Sequence, residues 1–367
     1  MKLVSGDKVF VLLVLITVLA GLGIFSSATL GLLARENASV AQDILFQAGV
    51  GFGLGAIAFL SARAIPLTFI RRYALLLFVL SLCATALVFV PGLGFNAGGA
   101  TRWIDIGFTT VQPAEFLKIG FVIMLAALLS SRAHHLKTIR LGLLPFGLVL
   151  AVPAAILLAQ PNTSTTLLLL ATGSAMYFAA GAPLRDFGIL FVCAVVALGL
   201  VVASRPYVLD RITTFIHPTR DSFGSGYQIQ QSLIAVGSGG LFGRGFGQSV
   251  EKFNYLPEPD GDSIFAVFAE ETGFVGAVLL VLLFLGLVAR GIVIAGKARD
   301  MFSGLLALGF SFLIGIQVFM NIGAMLGMIP LTGLPLPFIS HGGTALVAML
   351  VMCGLILNVA AHRTETT

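Results

Sequence analysis

The chain contains 367 residues, of which 58% are hydrophobic and only 10% are charged, and its mean hydropathy is +1.04. Soluble domains carry about 25% charged residues, so this composition excludes a soluble protein, whose surface would be far too apolar. The net charge of +5 is accounted for by Lys and Arg on the cytoplasmic side of a membrane, and it requires no nucleic acid partner.

Continuous apolar runs predict an all-α polytopic membrane protein with about ten transmembrane helices. About 20 apolar residues cross the hydrocarbon core, and a β-barrel is disfavoured because its strands alternate apolar and polar residues. In chain order the predicted spans are residues 9–33, 42–62, 73–91, 113–131, 141–159, 163–181, 186–204, 263–289, 301–328 and 343–361. Residues 1–367 are predicted to form a single transmembrane domain.

The distribution of Lys and Arg predicts how these spans are oriented. With the N-terminus inside, 13 of the 21 basic residues fall in cytoplasmic segments, and positive charge in short loops marks the cytoplasmic side. Both termini are therefore predicted to be cytoplasmic, and residues 205–262 become a long extracytoplasmic loop between the seventh and eighth spans. Its stretch "YQIQQSLIAVGSGGLFGRGFGQSV" combines apolar periodicity with six glycines, which indicates amphipathic or re-entrant pieces at the membrane surface.

The first polar cluster is "NAGGATRWIDIGFTTVQPAEFLKIG", residues 96–120. Glu115 and Lys118 stand three residues apart within the fourth predicted span. They are either a weak intrahelical ion pair or, since ionisable residues are costly inside a membrane, part of a functional site. Arg102, shortly before this span, is a candidate for holding a lipid headgroup, with an interfacial anchor as the alternative.

The long loop carries five cations and ends in carboxylates. Guanidinium groups bind phosphates in a bidentate manner. A loop with basic residues followed by acids therefore fits a substrate with a diphosphate leaving group and a hydroxyl that must lose its proton. The five cations are Arg205, Arg211, Arg220, Arg244 and Lys252.

The acidic end of this loop is "YLPEPDGDSIFAVFAEE", residues 255–271, which places five carboxylates beside an apolar helix. Asp262 or Ser263 can cap the helix that starts at Ile264, so Asp262 is either an N-cap or a general base. Glu258 stands close by in sequence and raises the pKa of a neighbouring acid. Asp260 and Asp262 together also suggest a site for a divalent cation, Mg²⁺ or Mn²⁺, while no other cofactor is indicated.

A third polar cluster is "PLTGLPLPFISHGGTAL", residues 330–346, whose prolines and glycines preclude a regular helix. Ser340 and His341 lie at its turn. They suggest a Ser–His nucleophile pair, but no GxSxG elbow accompanies them. Packing of an irregular loop is the favoured interpretation.

At these residues the sequence resembles the SEDS family of shape, elongation, division and sporulation proteins, which includes FtsW, RodA and SpoVE. The segments that carry the resemblance run in the order of the family: "GGATRWIDIG", "QPAEFLK", "QPNTSTT", "GYQIQQSLIAVGSGGLFGRGFGQSVEKFNYLPEP", "DSIFAVFAEETGFVG" and "PLTGLPLPFISHGG". The stretch "GFGQSVEKFNYLPEP" is more similar to the division and sporulation branch than to the elongation branch.

The resemblance implies a peptidoglycan glycosyltransferase in the bacterial cytoplasmic membrane that polymerises lipid II at the outer face. It implies a class B penicillin-binding protein and other divisome or elongasome membrane proteins as partners, and Asp262 as the essential aspartate. With the cations and acids above, the expected substrate-binding residues are Arg102, Glu115, Lys118, Arg211, Lys252, Glu258, Ser340 and His341.

The chain departs from the usual family pattern at two places. The family commonly has His-Thr-Asp-Phe where this chain has Asp260-Gly261-Asp262-Ser263. In "QPNTSTT" it has Asn162 where an aspartate is frequent and Ser164 where a glycine is frequent. Two other functions stay open at this point, a flippase that moves lipid II between leaflets and a non-catalytic scaffold of a division complex.

Overall fold

The apolar runs of the sequence fold into helices, since a helix satisfies its own backbone hydrogen bonds in a membrane. The structure, a computed structural model, describes residues 7–35, 49, 51–97, 100–107, 110–204, 206–217 and 224–362. Within these residues the α-helices are α1 (Lys8–Arg35), α2 (Phe52–Ala64), α3 (Leu67–Arg72), α4 (Ala74–Ala86), α5 (Pro113–Ser131), α6 (Leu144–Ala159), α7 (Thr163–Ala179), α8 (Leu184–Ser204), α9 (Pro206–Ile216), α10 (Ser225–Ser238), α11 (Glu251–Asn254), α12 (Ile264–Gly296), α13 (Met301–Met325) and α14 (Gly343–Ala361).

The helical membrane architecture predicted from the sequence is confirmed, and most helix ends fall within a few residues of the predicted spans. In the described residues, six helical segments are long and apolar enough to cross a membrane: Lys8–Leu30, Pro113–Ser131, Ile139–Ala159, Ile264–Gly296, Met301–Met325 and Gly343–Ala361. The count of ten crossings and the extracytoplasmic position of residues 205–262 stay predictions. The start of the second predicted span, residues 42–48, lies outside the described residues, as do Arg205 and Arg220.

The structure adds a small β-sheet that the sequence did not predict. Strands β1 (Gly94–Ala97), β2 (Ala100–Asp105) and β3 (Thr110–Val111) form an antiparallel sheet in the order β1-β2-β3. The strands are short, so they show too few alternating positions to be recognised. The sheet directly precedes α5.

Antiparallel packing of α1 against α12 defines the two ends of the helix bundle. At one end the Asp7 carboxylate pairs with Arg290 at 2.7 Å. Twenty residues along α1, Ser27 donates to Glu271 at 2.6 Å, so the start of α12 and Asp262 lie at the opposite end. The amide of His341, just before α14, donates to the carbonyl oxygen of Asp260 at 2.8 Å. Helix α14 therefore also begins at the Asp262 end and runs toward the Asp7 end.

Helices α13 and α14 form the centre of the bundle. About 72% of each of these two spans is buried, against 28% for the span in α12 and 33% for that in α1. The loops at the Asp262 end of α13 and α14 are therefore carried by the most tightly enclosed part of the protein.

Helix α12 is interrupted at Gly273, and a neighbouring loop fills the interruption. Gly273 adopts φ 69°, a conformation that favours glycine. The amides of Phe274 and Val275 donate to carbonyl oxygens of the loop that follows α10, at 2.9 and 3.1 Å. In return, the amides of Arg244 and Gly245 donate to the carbonyl oxygens of residues 270 and 271, each at 3.0 Å. Four backbone groups freed by the break are thus satisfied, which makes this loop a structural part of the helix.

Candidate functional site

A tight turn delivers Asp262 to the start of α12. Glu258 adopts φ 47°, and its carbonyl oxygen accepts hydrogen bonds from the amides of Gly261 and Ser263 at 3.1 and 3.2 Å. The helix begins at Ile264, as predicted, with Ser263 at the N-cap position and no side-chain capping hydrogen bond. The cap interpretation of Asp262 is therefore wrong, because its carboxylate is directed to a neighbouring helix instead.

The Asp262 carboxylate lies among residues from four other segments. Gln228 of α10 donates to Oδ1 at 2.9 Å. A Cβ atom placed on Gly333 would stand 3.9 Å from Oδ2 and 4.0 Å from Nη2 of Arg211. Asn321 of α13 donates to the backbone carbonyl oxygen of Asp262 at 2.8 Å. One carboxylate oxygen is thus held by an amide, and the other faces a small open space beside a guanidinium group.

The surroundings of Asp262 favour its protonated form. Burial, followed by the negative charge of Glu258, raises the pKa of Asp262 from 3.8 to about 6, although Gln228 and Arg211 act in the opposite direction. A carboxyl group with a pKa of this size is largely ionised at neutral pH and yet basic enough to accept a proton. The residue as a whole keeps some exposure to solvent.

Arg211 of α9 is held beside Gly333 by a residue in the first turn of α7. Its Nη1 donates to Ser164 Oγ at 3.4 Å, and the Ser164 hydroxyl donates to the Thr332 carbonyl oxygen. Asn162 caps α7 by accepting from the Thr165 amide at 3.3 Å. The two residues that depart from the family pattern in this segment, Asn162 and Ser164, therefore have structural partners, and Ser164 joins Arg211 to the loop that contains Gly333.

Glu115 and Lys118 form a separate, fully enclosed cluster. The Lys118 ammonium lies 2.7 Å from Glu115 and donates to Gln317 at 3.0 Å, and the two charged side chains are 0% and 3% exposed. Gln317 in turn donates to the Pro335 carbonyl oxygen at 2.9 Å. Gln317 and Asn321 lie four residues apart on one face of α13, and Asn321 also donates to the Leu334 carbonyl oxygen at 2.8 Å. The Lys118 cluster is therefore connected through α13 to the loop at Leu334 and Pro335, which lies beside Asp262.

The Lys252 side chain contacts Glu271 and Ser27, and not Asp262. Its ammonium donates to Glu271 at 2.6 Å and to the carbonyl and hydroxyl oxygens of Ser27 at 3.0 and 3.1 Å. The three donors of Lys252 are used, and the side chain is 0% exposed. Arg244 lies 3.3 Å from the buried Glu270. The arrangement favours a structural role for both cations, at the point where the loop enters the break in α12.

The cation site suggested at Asp260 and Asp262 stays a prediction. The Asp260 carboxylate lies 3.4 Å from Nδ1 of His341, whereas the Asp262 carboxylate faces Gln228. In the described part of the chain, no group of three or more His, Cys, Asp or Glu side chains is arranged to hold a metal ion. A cation at these two carboxylates would therefore need further ligands from the substrate.

Two further predicted site residues serve the loops around the site. The Ser340 hydroxyl oxygen accepts from the Leu336 amide at 2.8 Å, as expected of loop packing. Arg102 of β2 donates to the carbonyl oxygens of Gln160 and Pro161, which fastens the sheet to the turn between α6 and α7. The contact of Arg102 with a lipid headgroup stays a prediction.

Comparison with known proteins identifies the family of this chain. The family of FtsW, RodA and SpoVE, described as cell cycle protein, matches residues 7–365. The chain belongs to the FtsW/RodA/SpoVE family. It is 39% identical to stage V sporulation protein E of Bacillus subtilis over 361 residues, which cover 96% of each chain. It is 38% identical to the probable peptidoglycan glycosyltransferase FtsW of Alcanivorax borkumensis over 363 residues, covering 97% of this chain and 93% of the relative.

The FtsW/RodA/SpoVE fold is also supported by a solved structure. A chain from a peptidoglycan synthase complex, described as coordinating polymerization and crosslinking, superposes with a TM-score of 0.81 at 28% identity and covers 99% of each chain. The resemblance stated from the sequence motifs is therefore confirmed at the level of the family and the fold.

Sequence reasoning missed the amides that surround Asp262. Gln228 lies in "YQIQQS", which was noted only for its periodicity and glycines, and Asn321 and Gln317 lie inside an apolar run. Polar side chains four residues apart in a membrane helix are a recognisable signal, because such groups require buried partners. Gly333 could not be found in this way, because it has no side chain and its role is to leave room beside the Asp262 carboxylate.

Proposed function

We propose that this protein is a peptidoglycan glycosyltransferase that polymerises lipid II into glycan strands at the outer face of the bacterial cytoplasmic membrane. The observation that carries the proposal is Asp262, a partly buried carboxylate that caps no helix and whose pKa is raised to about 6. The names of the relatives and the similarity to a synthase complex point to the same chemistry.

In the proposed reaction Asp262 acts as the general base. It accepts the proton of the 4-hydroxyl group of the acceptor sugar, and the hydroxyl oxygen attacks the anomeric carbon of the donor. The bond between that carbon and the diphosphate oxygen breaks, and undecaprenyl diphosphate leaves with the electron pair. General base catalysis of this kind contributes about 10²–10⁴-fold in rate.

Arg211 is the proposed partner of the diphosphate. It is the guanidinium group that flanks the open space in front of Asp262, where a charge-assisted hydrogen bond to a phosphate oxygen can form. Lys118 is enclosed against Glu115 and Gln317. Its proposed contribution is to hold the loop at Pro335 in place rather than to touch the substrate in this arrangement.

A class B penicillin-binding protein is the proposed partner, which would cross-link the strands that this chain makes. The similarity to a chain of a complex that coordinates polymerization and crosslinking supports this pairing. With Asp262 at the outer face, both termini of the chain are cytoplasmic. The beginning of α1 and the end of α14 lie at the end of the bundle opposite to Asp262.

The test is purified protein reconstituted in vesicles with lipid II, with and without the transpeptidase, and with polymer scored on a gel. We expect polymer from the native protein and a loss of about 10²–10⁴-fold with Asp262→Asn. Asp260→Asn, in the same turn but paired with His341, is the matched control and should be milder. Transfer of lipid II between leaflets without polymer would indicate a flippase, and full activity of Asp262→Asn would refute the assignment of the base.

A further inference from the structure

The amide group of Gln228 bridges two residues at the start of α12. Its nitrogen lies 2.9 Å from Asp262 Oδ1 and 2.9 Å from Ser263 Oγ. An ionised carboxylate offers only acceptors, so the nitrogen rather than the oxygen of the amide must face it. Both hydrogens of the amide nitrogen are therefore used, one by each partner.

This double contact fixes the orientation of the Asp262 carboxylate. Ser263 is 0% exposed, and its amide is tied to the Glu258 carbonyl oxygen at 3.2 Å, so it is a rigid second anchor for Gln228. With Oδ1 held by the amide, Oδ2 is the oxygen that faces Gly333 and Arg211. The two oxygens of the same carboxylate thus have different surroundings.

We infer that Gln228 is a positioning residue that holds Oδ1 and leaves Oδ2 as the oxygen that accepts the substrate proton. The inference rests on the proposed function. The proton moves from the acceptor hydroxyl group to Oδ2, and the electron pair of the broken O–H bond forms the new bond to the anomeric carbon. Oδ1 becomes the carbonyl oxygen of the neutral acid and keeps the hydrogen bond from Gln228.

The charged groups around Asp262 act separately from Gln228. Glu258 faces it from the preceding turn and Arg211 from α9, and they shift its pKa in opposite directions. From α13, the uncharged Asn321 contacts only its backbone carbonyl oxygen. Gln228 does not titrate, so its removal changes the position and the proton affinity of Asp262 without adding or removing a charge.

The test is Gln228→Met, which keeps the shape of the side chain and removes the amide. Gln231→Met, on the same helix and similarly half-buried, is the matched control. A hydrogen bond to a charged group changes an equilibrium by about tenfold or more. We expect kcat to fall at least tenfold with little change in KM, and the acidic limb of the pH–rate profile to move up by about one pH unit. An unchanged limb and kcat would overturn the inference, as would an equal effect of Gln231→Met.

A second measurement does not depend on activity. Infrared difference spectra recorded against Asp262→Asn report the pH at which the Asp262 carboxyl group loses its proton, and this midpoint should rise in Gln228→Met. Ser263→Ala removes only the second anchor and should give a smaller shift in the same direction. A midpoint identical to that of the native protein would contradict the inference. If Asp262→Asn makes normal polymer, the assignment of Asp262 as the base fails, and if the native protein makes no polymer, the proposed function fails. If Gln228→Met alone behaves like the native protein, only this inference fails.

Discussion

Replacing the two charges beside Asp262 should move the pH dependence of the reaction in opposite directions. Arg211 favours the ionised form of Asp262 and Glu258 disfavours it. Arg211→Gln should therefore raise the pKa of Asp262 above about 6, and Glu258→Gln should lower it. Because only the ionised form accepts a proton, the acidic limb of activity moves up in the first variant and down in the second.

The size of the Arg211 effect follows from the distance between the charges. Arg211 Nη2 and Asp262 Oδ2 stand 4.0 and 3.9 Å from the same point, so they are at most about 8 Å apart. With an effective dielectric constant of about 20–40, two charges at this distance interact by about 1–2 kcal/mol. This energy corresponds to about one pH unit. The charge of Glu258 acts on the pKa of Asp262 more strongly than that of Arg211, so Glu258→Gln should shift the acidic limb at least as far, in the opposite direction.

The assay is the initial rate of lipid II polymerisation between about pH 5 and pH 9 in vesicles of constant composition. Arg211→Lys keeps the charge and serves as the control, with its limb near that of the native protein. A lower plateau in Arg211→Gln at every pH would reflect the proposed diphosphate contact and would accompany the shift. If the acidic limb of the pH–rate profile is at the native pH in both Arg211→Gln and Glu258→Gln, the electrostatic reasoning is refuted.

Three further variants test the structure itself. The raised pKa of Asp262 stabilises the fold below about pH 4 and this contribution is lost as the pH rises through about 6, so Asp262→Asn should melt at a higher temperature than the native protein at pH 7.5. Lys118→Met leaves Glu115 buried without its partner and should cost about 3–5 kcal/mol of stability, much of it recovered by adding Glu115→Gln, as measured by denaturation in detergent. Gly273→Ala would bring a Cβ atom to 2.3 Å from the loop backbone and should cost about 3 kcal/mol or more, whereas Gly286→Ala in the same helix should be close to neutral.

The helices were predictable because hydrophobic length alone determines a membrane span. The boundaries of α5 and α14 coincide with the predicted spans at 113–131 and 343–361, since polar or proline-rich stretches end both apolar runs. The sheet at residues 94–111 was not predictable in this way. Its pairing, such as Phe95 opposite Trp103, depends on contacts between strands of only a few residues.

The candidate site was predictable at its centre and not around it. The acidic stretch 255–271 was found because acids are rare in this chain and cluster there, and the resemblance to the family selected Asp262 among them. Among the described cations of the long loop, Lys252 is paired with Glu271 and Ser27, whereas Arg211 lies near the Asp262 carboxylate. Whether a charge is already paired depends on residues such as Ser27, which is 225 positions away from Lys252 in sequence, and no local pattern reports it.

One ion pair and one hydrogen bond between the α1 segment and α12 mark two levels along the bundle. Asp7 and Ser27 are 20 residues apart, and Glu271 and Arg290 are 19 residues apart, which corresponds to about 30 Å along each helix. This spacing is close to the thickness of the hydrocarbon core. Asp262 precedes α12 and lies beyond the level of Ser27 and Glu271, on the side away from Asp7 and Arg290. If these two levels lie at the surfaces of the hydrocarbon core, a lipid-linked sugar can reach Asp262 while its hydrocarbon tail stays immersed.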